Sequence, residues 1–418
     1  MRILIILHQF YPEFSGGTER VALNLARSAQ RAGHYVRILA CAVTPDAAGV
    51  SCNEYLAGAH DSVYQGVPLT LLPREILPAS ADFSLEIEAS LIEPMVGWMK
   101  QERFELAHVM HTMRMSTAVL AAQRCGLPLI LTLTDFFLAC PRINLVNLDN
   151  QICDGPQLGK KCGERCLTAP WSRDSLASRY QHAAELLASA SVRVTPSEFV
   201  ANRFRAAFAA LDFRVVPHGI DLLALANQKA IEGRQLENEF RLRLVYVGGI
   251  IPQKGLDLLL RALALVKASN IELKIIGGFH GAAAYHSEVL ALGKADARVE
   301  FLGHLEPGKV FEAIAQADLL CLPSRVPETF SLALHEAAAL GVPALVSSLG
   351  APGEQVSRNG AGLALACEDV KAWAKAIGSV AAEPEQIKGW QARLPLPLRV
   401  EEEAFYYDSL YRTLLSPA

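Results

Sequence analysis

Short apolar runs alternate with stretches of helical spacing along this chain, and they do so in two successive series. Residues 3–7 form the first run. Residues 18–32 then read as a helix, with Val21, Leu25 and Ala29 on one face and Gly33 ending it. Residues 36–40, 106–110, 129–134, 192–195 and 214–216 read as further strands, and 83–101, 116–124 and 197–209 as helices. A polar stretch, 217–241, carries no strand pattern and is taken as a linker. The second series follows: strands at 242–247, 273–276, 299–302, 319–322 and 344–347, with helices at 256–268, 308–316 and 331–340. Gly341 and Pro343 punctuate its last helix–strand turn. Alternation of this kind builds parallel, doubly wound sheets, so the expected class is α/β. A chain of 418 residues is too long for one hydrophobic core and suits two. The expected domains are 1–217 and 218–400, with three prolines in 384–397 marking a crossing. A terminal helix over 401–418 carries Tyr407, Tyr411 and Leu414 at helical spacing, and three glutamates at its positive end.

Composition removes several function classes. Hydrophobic residues make up 51% and charged residues 20%, the balance of an ordered globular protein. Net charge is −4. Neither half concentrates Lys and Arg, so no nucleic-acid partner is expected. The opening apolar core ends at Leu7 without a small-residue cleavage site, and no run has the length of a membrane span. The expected location is the cytoplasm, with peripheral contact at the inner membrane face allowed.

Residues 136–172 break the rhythm. This insertion holds Cys140, Cys153, Cys162 and Cys166, several Gly and Pro, and no periodicity. The last two cysteines have zinc-like spacing, and four thiolates suit a closed tetrahedral site. Such a metal could fold a segment that is otherwise loop. The expectation is a structural zinc; an iron–sulfur cluster uses the same ligands. The other five cysteines are scattered, and an odd total without a leader argues against a disulfide framework.

Three segments carry chemistry. Residues 323–343 follow a strand and run into a helix, with Glu328 in the loop and Glu336 inside the helix. Backbone N–H groups of Phe330, Ser331 and Leu332 would be the donors of that helix start, a place suited to phosphate. Two carboxylates beside it suit a ligand rich in hydroxyls. The second segment runs from Tyr246 through Gly248 and Gly249 to Lys254 and Gly255. Its glycines allow close backbone approach, and Lys254 offers a point charge for a diphosphate. Both segments leave the carboxyl ends of strands of one sheet, where open α/β sheets bind ligands. The third, residues 11–19, places Gly16 and Gly17 between the first strand and the first helix, as a phosphate or acceptor loop.

Taken in order, these segments resemble the retaining GT-B glycosyltransferases of family four, over essentially the whole chain. Glu328 and Glu336 match the spacing of two glutamates with seven residues between them. Gly16-Gly17-Thr-Glu19, Gly33-His-Tyr-Val36, Gly248 to Gly255 and His218-Gly-Ile-Asp221 match the family's other segments. The resemblance implies two Rossmann-like domains facing across a cleft, with acceptor bound by the first and nucleotide-sugar by the second. It implies that Glu336 binds the ribose and Glu328 the donor sugar. Lys254 and the Phe330, Ser331 and Leu332 amides would stabilise the departing diphosphate. Gly17 and Gly249 would line the donor.

The chain departs from the family at Gly249, where an arginine is usual; Arg325 is expected to supply that charge. A family histidine facing the donor sugar falls at His111, or at Met110 after a one-residue shift; His111 is taken, as a sugar or acceptor contact with a catalytic role. Asp135 resembles an acceptor segment in which Thr134 replaces histidine. With Gly16, these make the acceptor side. No two aspartates are separated by a single residue, and catalysis is expected to need no metal or other cofactor. The cysteine insertion resembles one found in a subset of the family. The expected donor is a UDP- or GDP-sugar. The expected acceptor is a glycan, a lipid-linked or a small hydroxylated molecule, in polysaccharide or cell-envelope assembly. Two rivals are a nucleotide-sugar epimerase of the same fold and a non-catalytic nucleotide-sugar-binding protein.

Overall fold

A computed structural model describes residues 1–42, 51–53, 55–56, 58–169, 171–222 and 240–416. Most of the expected linker lies outside them. The chain divides into two compact units: Met1–Gly219 with Val400–Ala418, and Ile220–Arg399.

The first unit is built on a sheet of β1 (Arg2–Ile6), β2 (Tyr35–Ala42), β3 (Ser51–Cys52), β4 (His60–Tyr64), β5 (Val67–Pro73), β6 (Leu106–Val109), β7 (Leu129–Thr132), β8 (Val192–Thr195) and β9 (Arg214–Val215). Its order is β3-β4-β5-β2-β1-β6-β7-β8-β9. β1 pairs in parallel with β2 on one side and β6 on the other. Strands buried on both faces read as unbroken apolar runs, which is why Ile3, Leu4, Ile5 and Ile6 mark β1 so clearly. The antiparallel pairs β3–β4 and β4–β5 were not expected: β4 is polar and only half-buried, so it gives no apolar signal.

The second unit holds β10 (Leu242–Val247), β11 (Ile271–Ile276), β12 (Val299–Gly303), β13 (Leu319–Leu322), β14 (Ala344–Ser347) and β15 (Gly362–Leu365). Their order is β12-β11-β10-β13-β14-β15, and every pairing is parallel. Strand order reverses between β10 and β13, and in the first unit between β1 and β6. Loops leaving the carboxyl ends of strands diverge there and open a crevice for ligand. The segments with Lys254 and Glu328 follow β10 and β13; His8 and His111 follow β1 and β6.

Two boundaries differ from expectation. The helix expected over 83–101 is Ala89–Gln101, because the Glu88 side chain accepts from Ser90 N–H and caps it there. Within 384–397 the chain forms a helix, Glu385–Gln391. The terminal helix, Val400–Leu415, belongs to the first unit, where it contacts the helix Gly17–Arg31.

Candidate active site

In the second unit, β10 leaves through Gly248-Gly249 into a single turn, Pro252–Lys254, and Gly255 starts the helix Leu256–Leu265 at φ 67°. A Cβ on Gly255 would lie 2.1 Å from Pro323 O, so only glycine lets this turn lie against the loop after β13. That contact sets Lys254 beside Glu328, with Nζ donating to Oε1 at 2.9 Å. Ser324 Oγ donates to the same oxygen. From the other side, Ala351 N–H donates to Glu328 O at 2.9 Å, and Gly350 is close enough that a Cβ would strike the Glu328 backbone. Burial works to raise the Glu328 carboxyl, but the Lys254 charge and the two hydrogen bonds outweigh it and hold it below the ordinary value. It is therefore an ionised carboxylate with one oxygen fixed.

The helix Leu332–Ala339 follows, capped by Ser331, whose side chain accepts from Leu334 N–H. Ser331 sits at φ 70°, a rare conformation for a residue other than glycine, and turns the chain sharply into the helix. Phe330 stacks on His335 with ring centroids 3.9 Å apart. Glu336 is 4% exposed.

Arg325 departs from expectation. Its guanidinium grips Asp257 with two bonds, of 2.6 and 2.8 Å, and reaches Glu368 at 2.9 Å. Held by two carboxylates, this charge is less open to a diphosphate than that of Lys254, which meets one. Its N–H donates to Gln253 O at 2.8 Å, so the residue ties the Lys254 turn to the Glu328 loop instead.

The first unit gathers a second group of polar side chains. His111 accepts from Met113 N–H at Nδ1 (3.1 Å), so Nε2 carries the proton and donates to Asp135 Oδ2 at 2.6 Å. Both expected residues are thus together, but each ring nitrogen of His111 is occupied. The ring of His8, which follows β1, lies 4.0 Å from that of His111. Its Nδ1 is buried without a hydrogen-bond partner, as is Oε1 of Glu19, 3.9 Å from His8 Nε2. Burial, then the charges of His111 and Arg114, keep His8 well below the ordinary histidine value; burial raises Glu19. Gly16 makes room for that carboxylate, since a Cβ there would meet Glu19 Oε2 at 2.5 Å. His8 gave no sequence signal beyond its place after the first strand. Glu19 ends the Gly16-Gly17-Thr-Glu19 segment, whose sequence alone assigns it no role.

The four cysteines are near one another, each of Cys140, Cys162 and Cys166 feeling the charge of others in the set. As placed they are not the expected tetrahedral ligand set: among the described residues, no group of three or more potential ligands is arranged to hold a metal. Burial pushes the thiols up, Cys140 to about 11 and Cys162 to about 12, so both are protonated. Cys153 Sγ instead donates to Gly155 O.

Two family profiles match the chain: Glycosyltransferase Family 4 over residues 15–222 and Glycosyl transferases group 1 over residues 227–393. The chain belongs to glycosyltransferase family 4. Between them the two matches span the segments that run from Gly16 to Glu336. A D-inositol 3-phosphate glycosyltransferase of Rhodococcus opacus is 32% identical over 161 residues, 36% of this chain and 36% of that relative. The matched stretch is therefore little more than a third of either protein. A glycogen synthase of Mycobacterium tuberculosis is 25% identical over 92% of this chain and 87% of its own. A crystal structure of Anabaena HepE in complex with UDP and glucose superposes with a TM-score of 0.69 at 17% identity, covering 99% of this chain and all of that one. At that identity the likeness establishes the fold, which is GT-B, and leaves donor and acceptor open.

Proposed function

We propose that this family 4 protein is a retaining glycosyltransferase that moves a hexosyl group from a nucleoside-diphosphate sugar to a hydroxyl acceptor. The observation that carries the reading is the Lys254–Glu328 pair at the switch point of the second sheet, with Glu336 in the helix that follows. Lys254 turns from Glu328 towards a donor diphosphate, and the freed carboxylate oxygen accepts a sugar hydroxyl. Glu336 binds the ribose. The bond from the anomeric carbon to the diphosphate oxygen breaks, with its electron pair leaving on the diphosphate. The acceptor oxygen bonds to that carbon on the same face, and its proton passes to the departing diphosphate oxygen. Lys254 and the N–H groups at the start of the helix favour the charge that develops on the leaving group, with no metal in the step.

UDP is the first donor nucleotide to test, since HepE was crystallised with it. The first unit is assigned the acceptor, a glycan, lipid-linked or small hydroxylated molecule. His111, Asp135, His8 and Glu19 are its polar contacts. Among the described residues no helix is long and apolar enough to cross a membrane; action in the cytoplasm, at the inner membrane face for a lipid-linked acceptor, is part of the proposal.

A thermal-shift panel of UDP-, GDP-, ADP- and dTDP-sugars, run on wild type and Glu336→Gln, tests the donor assignment. One nucleotide class is expected to raise the midpoint with concentration, and the variant to lose that response. No response to any of the four would overturn the reading.

A structural zinc at Cys140, Cys153, Cys162 and Cys166 is a separate proposal with no part in the reaction. The thiols do not form its ligand set as they stand; binding requires them to turn inward and lose protons. Its support is their proximity and the irregular backbone around them, where Ile143, Leu145, Asn150, Gln157 and Leu158 all take positive φ. Arg179 adds to it: its buried guanidinium, bonded to the carbonyls of Phe83 and Phe137, lies near Cys140 and Cys162 and has no ion-pair partner among the described residues. Four thiolates around zinc carry the negative charge that such a cation lacks. Metal analysis is expected to find stoichiometric zinc, lost in Cys162→Ser; iron in its place, or neither metal, overturns it.

A further inference from the structure

Two glycine turns meet at the carboxyl ends of neighbouring strands in the second unit. β10 leaves through Gly248-Gly249 and β11 through Gly277-Gly278. Gly248 N–H donates to Ile276 O at 3.0 Å and Ile250 N–H to Gly278 O at 2.8 Å. The turns are so close that a Cβ on Gly277 would lie 1.9 Å from Gly248 O. Against this bare backbone lies the ring of His280. It is 3.5 Å from where a Cβ of Gly249 would stand and 3.1 Å from that of Gly278. A Cβ at 249 would stand in van der Waals contact with the imidazole, so the ring lies directly over the bare backbone of Gly249. The space beside Gly249 is filled from the next strand's loop.

The cation-capable side chains of these loops differ in what they hold. Arg325 is bound to Asp257 and Glu368, and Lys254 to Glu328. His280 is exposed, and its ring has no hydrogen-bond or ion-pair partner among the described residues. It is the one of the three whose side chain needs no rearrangement to meet an anion. Glycine turns at strand ends bring backbone N–H groups towards an anionic ligand, and an imidazole N–H beside them adds a side-chain donor.

We propose that His280 is a donor-binding residue whose imidazole N–H contacts the diphosphate of the nucleotide-sugar. The proposal rests on the donor assignment above and adds a contact to it. A hydrogen bond to a charged oxygen contributes roughly tenfold in affinity. Because His280 is exposed and its ring lies beside Gly249 and Gly278, its replacement is expected to leave the fold intact, and the thermal midpoint of the free protein serves as the control.

Calorimetric titration of the full chain with UDP and with UMP tests it (GDP and GMP where the panel selects guanine). His280→Ala is expected to weaken UDP roughly tenfold and UMP much less, because UMP lacks the second phosphate. His280→Arg, which restores a donor and a charge, is expected to recover most of the loss. Unchanged UDP affinity in His280→Ala overturns the proposal, as does an equal loss for UDP and UMP. A wild type that binds no nucleoside diphosphate fails the donor assignment itself, and this contact with it.

Discussion

Replacing Glu328 by glutamine is expected to lower kcat/KM for sugar transfer by about 10³-fold while nucleotide binding survives. The amide keeps the shape of the side chain, so the loop after β13 keeps its bonds to Ala351 N–H and its contact with Gly350. What goes is the negative charge. In the free protein that charge holds Lys254 at 2.9 Å. With donor bound it faces the hydroxyls and the positive charge developing on the sugar ring. Loss of one preorganised electrostatic contact in a water-poor site costs about 3–4 kcal/mol of transition-state stabilisation. Lys254, no longer shared with a carboxylate, turns more readily to phosphate, so UDP is expected to bind as tightly as to wild type or more so. Steady-state kinetics and UDP titration on the same preparation separate the outcomes. If transfer and UDP affinity fall together, Glu328 holds the loop rather than serving the chemistry.

Legibility in the sequence followed what each residue depends on. Strands β10, β13 and β14 were readable to the residue, because strands covered on both faces are apolar at nearly every position. The half-buried β4 carries no such constraint, and its hairpin was missed. Lys254 and Glu328 could be placed in one site because each follows a strand directly, and strand-end loops in a parallel sheet share an edge. The pairing of Arg325 is not legible for the converse reason. Its partner Asp257 is 68 residues earlier in the chain, and nothing local announces a bidentate pair over that distance. His8 and His280 share this limit: each is defined by a neighbour from another loop. The sequence did hold one clue to His280, the side chain missing at Gly249. Reading it required knowing which loop lies alongside.

Truncation after Arg399 is expected to leave the first unit unable to fold stably, because the terminal helix closes it with buried polar pairs as well as apolar contact. Glu403, 1% exposed, accepts from Gly219 N–H at 2.8 Å and pairs with His218 Nδ1 at 3.1 Å. Tyr411 OH meets His108 Nδ1 at 2.7 Å, Thr132 Oγ1 meets His108 Nε2 at 2.7 Å, and Tyr407 OH reaches the same hydroxyl at 3.0 Å. Asp408 pairs with His34. Losing the helix strips these partners from buried groups and bares the apolar surface under Tyr407, Leu410 and Tyr411. Tyr411→Phe isolates one part of this: His108 loses one bond, at a cost of about 1–3 kcal/mol. The same histidine makes stability depend on pH. Burial first, and the charge of His218 second, hold His108 down to about 3 in the folded chain. Unfolded, it takes up a proton below about 6.5. Between those values the unfolded state binds a proton that the folded state does not, so stability falls as pH drops. For one such group the slope is about 1.4 kcal/mol per pH unit. Urea unfolding at pH 7.5, 6 and 5 should show that decline, with the transition of the first unit missing from the truncated chain while the second unit keeps its own. A truncated chain whose first unit still unfolds cooperatively, or a stability flat from pH 7.5 to 5, would mean that this buried network does not hold the unit together.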